Sequence, residues 1–207
     1  YVRYADDFLI GVIGSKADCE AIKADLKKYM QEQLKLELSE EKTLITNAQD
    51  KAKFLGYEVL VRKTDVTKRN KFNVPVRSFN GTVVLKVATE TVKNRLEHYE
   101  AIKYKMENGV QTWFSKLRGK LMKKKIEDIV ARYNSEIRGF YNYYSIANNV
   151  SYAASKFGYI MEYSMYHTIA AKTNSSISKV IDKYKKGNDI IVPYHDAKGK
   201  LSYRAVS

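Results

Sequence analysis

The sequence predicts an α+β chain in which antiparallel strands with one helix are followed by a mainly α-helical bundle. Three observations carry this expectation. Short runs of β-branched and aromatic residues flank a single helical pattern within residues 1–62. Beyond residue 88 apolar side chains recur every three or four positions, the spacing of one helix face. The chain has 207 residues and 44% hydrophobic content, enough for one or two domains with real cores.

Taken in order, residues 1–13 read as a strand hairpin: Val2-Arg3-Tyr4 leads in, Phe8-Leu9-Ile10 leads out, and Ala5-Asp6-Asp7 forms the tip. A helix is predicted from Ser15 to Leu34, with Ser15 as N-cap, Asp18 three residues on, and Cys19, Ile22, Leu26 and Met30 on the buried face. Leu36-Glu37-Leu38 alternates like a strand, Ser39–Thr43 makes a polar turn, and Phe54–Val61 reads as another strand. Residues 63–87 form a connector in which Asn80-Gly81, between Val74-Pro75-Val76 and Thr82–Leu85, signals a hairpin. Val92, Leu96, Tyr99, Ile102 and Met106 then predict a helix. A second spans Lys124–Tyr144 on a stripe of Ile126, Ile129, Val130, Tyr133, Ile137, Phe140, Tyr141 and Tyr144, and a third spans Ser151–Lys172. These helices make up a unit over 88–186, and 187–207 is a loop or strand-like tail.

Composition narrows the function. The lone cysteine, Cys19, cannot form an intramolecular disulfide, which points to a reducing compartment. No segment has the length of a membrane-spanning helix and no basic-then-apolar leader opens the chain, so a soluble intracellular protein with no membrane partner is expected. The start inside an apparent strand, without methionine, suggests a fragment. Residues 1–62 hold 10 of the 37 lysines and arginines against 11 of the 23 acids, so the entire surplus of +15 lies in the remaining 145 residues. Seventeen tyrosines occur, many interleaved with Lys and Arg through 132–184. Stacking planes beside cations suit RNA better than DNA grooves or membranes. Solvated helix faces are the alternative.

Asp6 and Asp7 are the chemical feature of the first unit. Adjacent carboxylates between apolar strand residues are costly unless a cation neutralises them. Hard oxygens at a hairpin tip suit Mg2+, and two such ions roughly 4 Å apart serve in-line attack on a phosphate ester. An exposed Asp-Asp turn that binds nothing is the other reading.

Five blocks in order resemble the C-terminal part of a group II intron reverse transcriptase/maturase of the bacterial LtrA-like type. Tyr1–Phe8 (YVRYADDF) resembles the polymerase metal motif, Leu38–Thr43 (LSEEKT) the next palm block, and Phe54-Leu55-Gly56-Tyr57 the block that holds the primer. Arg132–Tyr144 resembles the maturase segment, called domain X or the thumb, and Tyr163-Ser164 with Thr168–Lys172 its second signature. The resemblance implies a C-terminal palm portion at 1–62, a connector at 63–87 and a helical thumb at 88–186. It implies an enzyme that copies an RNA template into DNA from a DNA primer and dNTPs, and that binds its parent group II intron RNA to assist splicing and mobility in the bacterial cytoplasm. A non-catalytic RNA-binding splicing module is the alternative, and a merely basic structural domain is a third.

Within that scheme Asp6 and Asp7 hold Mg2+, and Lys42 is a candidate to protonate the leaving pyrophosphate or else a solvated turn lysine. Tyr4 lies under the primer terminus or packs in its strand, and Phe54, Leu55 and Gly56 pass the primer or pack as core. Arg138, Asn142 and Tyr143 are RNA candidates, whereas Tyr141 and Tyr144 are assigned to core packing by their helical spacing. Arg138, Lys172 and Lys179 are expected to meet RNA phosphates, and Lys123-Lys124-Lys125 forms an exposed basic cluster at a helix start. Full members carry a further metal-binding aspartate upstream, so this chain alone is expected not to polymerise.

Overall fold

The computed structural model describes residues 1–207 except 65, 78, 79, 188, 196–199 and 207, and describes 204–206 by backbone alone. It contains five α-helices and several small sheets among these residues, an α+β architecture. Two compact units divide the chain, Tyr1–Lys86 and Val87–Ser207.

In the first unit, β1 (Val2–Tyr4) pairs antiparallel with β2 (Asp7–Leu9), Tyr4 opposite Asp7, so Ala5-Asp6 makes the turn. Helix α1 (Lys16–Gln33) starts at a capping box: Asp18 N donates to Ser15 Oγ at 3.2 Å and Ser15 N donates to Asp18 Oδ2 at 2.7 Å. Two otherwise orphaned amides are thereby satisfied. The predicted buried face is only partly covered. Cys19, Leu26 and Met30 are half-buried, Ile22 is exposed, and no residue of α1 is fully buried.

Leu36–Leu38 is not a strand. Lys35 takes a left-handed φ of 53° and Leu36 N donates to Met30 O at 3.0 Å, so the helix end consumes the amide that a strand would need. The Ser39–Thr43 turn does form, with Thr43 N donating to Ser39 O at 3.0 Å. Lys23 Nζ reaches Thr43 O at 2.5 Å and Lys27 pairs with Glu40, which ties this turn to α1.

The run Phe54–Val61 is a hairpin rather than one strand. β3 (Ala52–Phe54) and β4 (Tyr57–Val61) are joined by Leu55 and Gly56 at φ 51° and 80°. A two-residue turn with both central residues left-handed matches the twist of the flanking strands. Gly56→Ala is therefore expected to cost about 1 kcal/mol, read as a lower urea midpoint at constant m.

β5 (Val83–Val87) joins β4 on its other edge. Asn80-Gly81 does not pair 74–76 with 82–85. It closes the neck of a longer loop: the Asn80 amide exchanges two 2.8 Å hydrogen bonds with the Thr64 backbone, and Gly81, at φ 76°, donates its N–H to Arg62 O at 2.9 Å.

In the second unit, Asn149 exchanges hydrogen bonds of 2.7 and 3.0 Å with the Val87 backbone. Helix α2 (Thr89–His98) buries Val92 and Leu96, then stops. The helix expected to reach Met106 instead gives way to a hairpin, β6 (Ile102–Glu107) and β7 (Val110–Ser115). Ile102, Tyr104 and Met106 fit a period of two as well as four, and Asn108-Gly109, at φ 52° and 76°, supplies a left-handed turn. Met106 is consequently exposed.

A short 3-10 turn (Gly119–Leu121) precedes α3 (Ile126–Tyr144), α4 (Val150–Lys172) and α5 (Ile177–Tyr184). The tail is stranded: β8 (Lys185–Lys186), β9 (Asp189–His195) and β10 (Leu201–Val206) form a sheet in the order β10-β9-β8, and β9 and β10 lie on α3. The core comprises Leu96, Ile129, Val130, Tyr133, Phe157, Met161, Met165 and Ile169, all buried. Phe140 stacks on Phe157 at 4.2 Å between centroids. Tyr144 is buried as expected, but Tyr141 is 50% exposed, so its assignment to the core is corrected. Tyr141 follows Phe140 by about 100° around α3, off the buried stripe.

Candidate functional site

The acidic hairpin places Asp6 in its turn and Asp7 at the first position of β2, both exposed. Ala5 adopts φ 50°, a left-handed conformation rarely used by residues with a Cβ, and Arg3 Nε braces it by donating to Ala5 O at 2.8 Å. The two carboxylates are hard oxygen donors of the kind Mg2+ takes. Among the described residues, however, no group of three or more His, Cys, Asp or Glu is positioned to hold a metal. Two acids fall short of a near-octahedral shell, so this donor set fits the ion in kind and is incomplete in number.

The other candidates of the first unit lie on separate elements. Tyr4 is exposed on β1, Lys42 is exposed in the 39–43 turn, Phe54 and Leu55 are half-buried, and Gly56 is exposed at the β3–β4 turn. β2 lies beside β3, which brings the acidic hairpin and the β3–β4 hairpin into one part of the unit.

The second unit contains a buried polar network that was not anticipated from the residues. Arg118 Nη1 and Nη2 donate to Glu136 Oε2 and Oε1 at 2.5 and 3.2 Å, and Arg132 Nε donates to Glu136 Oε1 at 2.6 Å. The Arg118 guanidinium also lies over the rings of Tyr99 and Tyr133, at 5.5 and 4.9 Å. Burial opposes its charge, yet the Glu136 carboxylate outweighs that effect and holds the guanidinium pKa above its ordinary value.

Tyr133 OH meets Ser164 Oγ at 2.8 Å and Thr168 Oγ1 at 3.1 Å. Burial raises the phenol's pKa against the opposing pull of these hydroxyls and Arg118. Ser164 Oγ donates to Lys116 O at 2.5 Å, and Arg118 N donates to Thr168 Oγ1 at 3.0 Å. The 116–118 segment is thus clamped between α3 and α4. One sequence signal does point to Glu136: a carboxylate on the helix face that also carries Ile129, Tyr133 and Phe140.

Beside this network lies a cavity of about 280 Å³ lined by His98, Tyr99, Glu100, Arg118, Lys120, Leu121, Lys124 and Arg132. Glu100 pairs with Lys120 and Glu136 with both arginines, so four cations face two carboxylates. Such a basic concavity attracts phosphate.

The sequence-predicted RNA residues distribute around the unit. Lys123, Lys124 and Lys125 are exposed just before α3, and Lys124 reaches the cavity. Arg138, Asn142 and Tyr143 are exposed on α3, with Arg138 and Asn142 four apart on one face. Lys179 is exposed in the first turn of α5. Lys172 is half-buried and its ammonium donates to Met122 O at 3.0 Å, a tie between α4 and the segment before α3. Among the described residues no helix is long and apolar enough to cross a membrane.

The second unit is thus basic and largely helical with a cavity of about 280 Å³, and it follows a small α+β unit that carries an acidic hairpin. The type II intron maturase family model matches residues 67–200. Over 201 residues the chain is 41% identical to the group II intron-encoded protein LtrA of Lactococcus lactis subsp. cremoris, covering 97% of this chain and 33% of that protein. It is 36% identical over 200 residues to the COX1/OXI3 intron 1 protein of Saccharomyces cerevisiae (92% and 23% covered) and 44% identical over 63 residues to protein YkfC of Escherichia coli (30% and 16%). The chain belongs to the group II intron maturase/reverse transcriptase family. It spans about a third or less of the length of these relatives.

Proposed function

We propose that this chain is part of a group II intron reverse transcriptase/maturase, and that its second unit binds the parent intron RNA. The observation that carries this reading is the basic cavity beside α3, within the matched span and within the portion of the chain holding the whole charge surplus. Lys120, Lys124 and the outward part of Arg132 are its phosphate contacts, with Lys123, Lys125, Arg138 and Lys179 extending the basic surface. Asn142 and Tyr143 lie close to Arg138 along α3 and add a hydrogen-bonding group and a stacking plane.

The finer assignments belong to the same proposal. The first unit is the C-terminal portion of a polymerase palm and the second a thumb, as family membership suggests. In the complete protein Asp6 and Asp7 are two of the carboxylates that hold Mg2+ beside the primer terminus, which bound magnesium would serve by neutralising charge on the incoming dNTP. The strained Ala5 turn holds both acids at one tip, Tyr4 and the Phe54-Leu55-Gly56 turn position the primer on the template, and Lys42 is a proton donor to the leaving group. The likeness to a Lactococcus lactis protein supports placing the protein in a bacterial cytoplasm. The second reading, a non-catalytic RNA-binding splicing module, is supported by the maturase family match over residues 67–200.

The test is binding to structured intron RNA and to scrambled RNA across a salt series. Intron RNA is expected to bind more tightly at every salt concentration, with log Kd linear in log salt. Arg138→Ala is expected to reduce the salt slope by about one while leaving helicity unchanged. Equal affinity for both RNAs would remove the maturase reading, and loss of helicity would show Arg138 to be structural.

A further inference from the structure

We propose that the cleft between β7 and α4 takes an unpaired nucleobase of single-stranded nucleic acid, stacked on Trp113 and Tyr159 with its phosphate on Lys156. The proposal rests on reading the second unit as an RNA binder and goes beyond it by assigning a second site that shares no lining residue with the basic cavity. The cleft has a volume of about 370 Å³ and is lined by Gln111, Thr112, Trp113, Lys156, Tyr159 and Ile160. That volume lies at the lower end of small-ligand sites, and no carboxylate lines it.

Each lining group has a use in holding a base. Ile160 is buried and forms an apolar floor, whereas Tyr159 is 59% exposed, far more than a core aromatic would be. Gln111 and Thr112 offer an amide and a hydroxyl that can satisfy the polar edge of a base. Lys156 Nζ sits 4.0 Å from the Trp113 ring centroid, so one indole face is already a cation-binding plane. A base entering over that face replaces the ammonium, and the flexible lysine stem lets the charge swing to the attached phosphate.

The helix extends the platform in both directions. Tyr152, Lys156, Tyr159 and Tyr163 recur every three or four residues, which places them on one face of α4 over about 16 Å. Tyr152 is 68% exposed, and Tyr163 contacts Tyr159 with ring centroids 4.7 Å apart. Aromatic planes alternating with a cation along a solvent-facing ridge form the arrangement that binds single strands by stacking, with little dependence on sequence. A protein partner recognised through its own basic groups would need acids here.

Trp113 is the sole tryptophan of the chain, so its emission reports on this cleft alone. The intact 207-residue chain is titrated with a short oligouridylate and a short oligothymidylate, while anisotropy of labelled intron RNA is followed in parallel. A saturable change in Trp113 emission is expected, and Tyr159→Ala should weaken oligonucleotide binding about tenfold with an unchanged far-ultraviolet spectrum. A response to both oligomers assigns the cleft to single strands in general, and a response to oligouridylate alone assigns it to RNA. Silent Trp113 emission while intron RNA binds overturns the cleft proposal and leaves the RNA-binding reading intact. Silent emission with no RNA bound overturns both, and a Tyr159→Ala chain that binds like wild type overturns the cleft proposal alone.

Discussion

Glu136→Ala is expected to destabilise the second unit by about 3–5 kcal/mol, the cost of leaving a buried charge without its partner. Glu136 and Arg118 are both buried, so removal of the carboxylate strands the Arg118 guanidinium between Tyr99 and Tyr133. Arg132 does not share this fate, because its side chain is 59% exposed and water can take over its hydrogen bonds. The measurement is urea unfolding followed by near-ultraviolet dichroism, which reports the packed tyrosines. A loss below about 1 kcal/mol would place the pair among ordinary surface ion pairs. The double substitution Arg118→Met with Glu136→Leu separates charge from packing: it should recover most of the lost stability, since an apolar replacement of a buried pair is often neutral. It should also reduce RNA affinity if the network sets the shape of the basic cavity, because Arg118 lines both.

Legibility in the sequence followed the range of the interaction. The start of α1 was readable because Ser15 and Asp18 satisfy each other within three residues. The β1–β2 hairpin was readable because its apolar flanks and its polar tip are adjacent in the chain. Helix α3 was readable from its stripe, except that a face drawn wide enough to include Ile137 also admitted Tyr141. Errors arose where two periods coincide. Ile102 and Met106 satisfy a helix as well as a strand, and only the Asn108-Gly109 turn decides between them. The Leu55-Gly56 turn was hidden inside an apolar run, where a left-handed leucine gives no compositional warning.

The polar network was illegible for a different reason. Its members come from the 116–118 segment, α3 and α4, up to 50 residues apart, and their pairing is chosen by packing. Family-like segments such as Arg132–Tyr144 therefore carry two kinds of residue that look alike in sequence. Tyr133 and Glu136 face inward and build the unit, while Arg138, Asn142 and Tyr143 are exposed on the same helix.

In the complete protein, Asp7→Asn is expected to lower primer extension by roughly 10³-fold or more while leaving intron RNA binding unchanged. The magnitude follows from the several kcal/mol that bound metal contributes to charge stabilisation in phosphoryl transfer, at about 1.4 kcal/mol per tenfold in rate. Asparagine keeps the shape of the β2 start and its backbone pairing with Tyr4, but exchanges a carboxylate for a neutral amide and so removes the charge that draws the ion. The RNA arm is informative because the basic cavity and the acidic hairpin belong to different units of the chain. Loss of both activities would mean that the substitution has disturbed folding, which the β1–β2 turn, exposed throughout, gives little reason to expect. A decrease of less than tenfold in extension would show the tip to be a plain exposed turn. The 207-residue chain by itself is expected to show no extension, since among the described residues Asp6 and Asp7 are joined by no third donor and two carboxylates hold magnesium weakly. Robust extension by that chain would mean that a further donor lies within it.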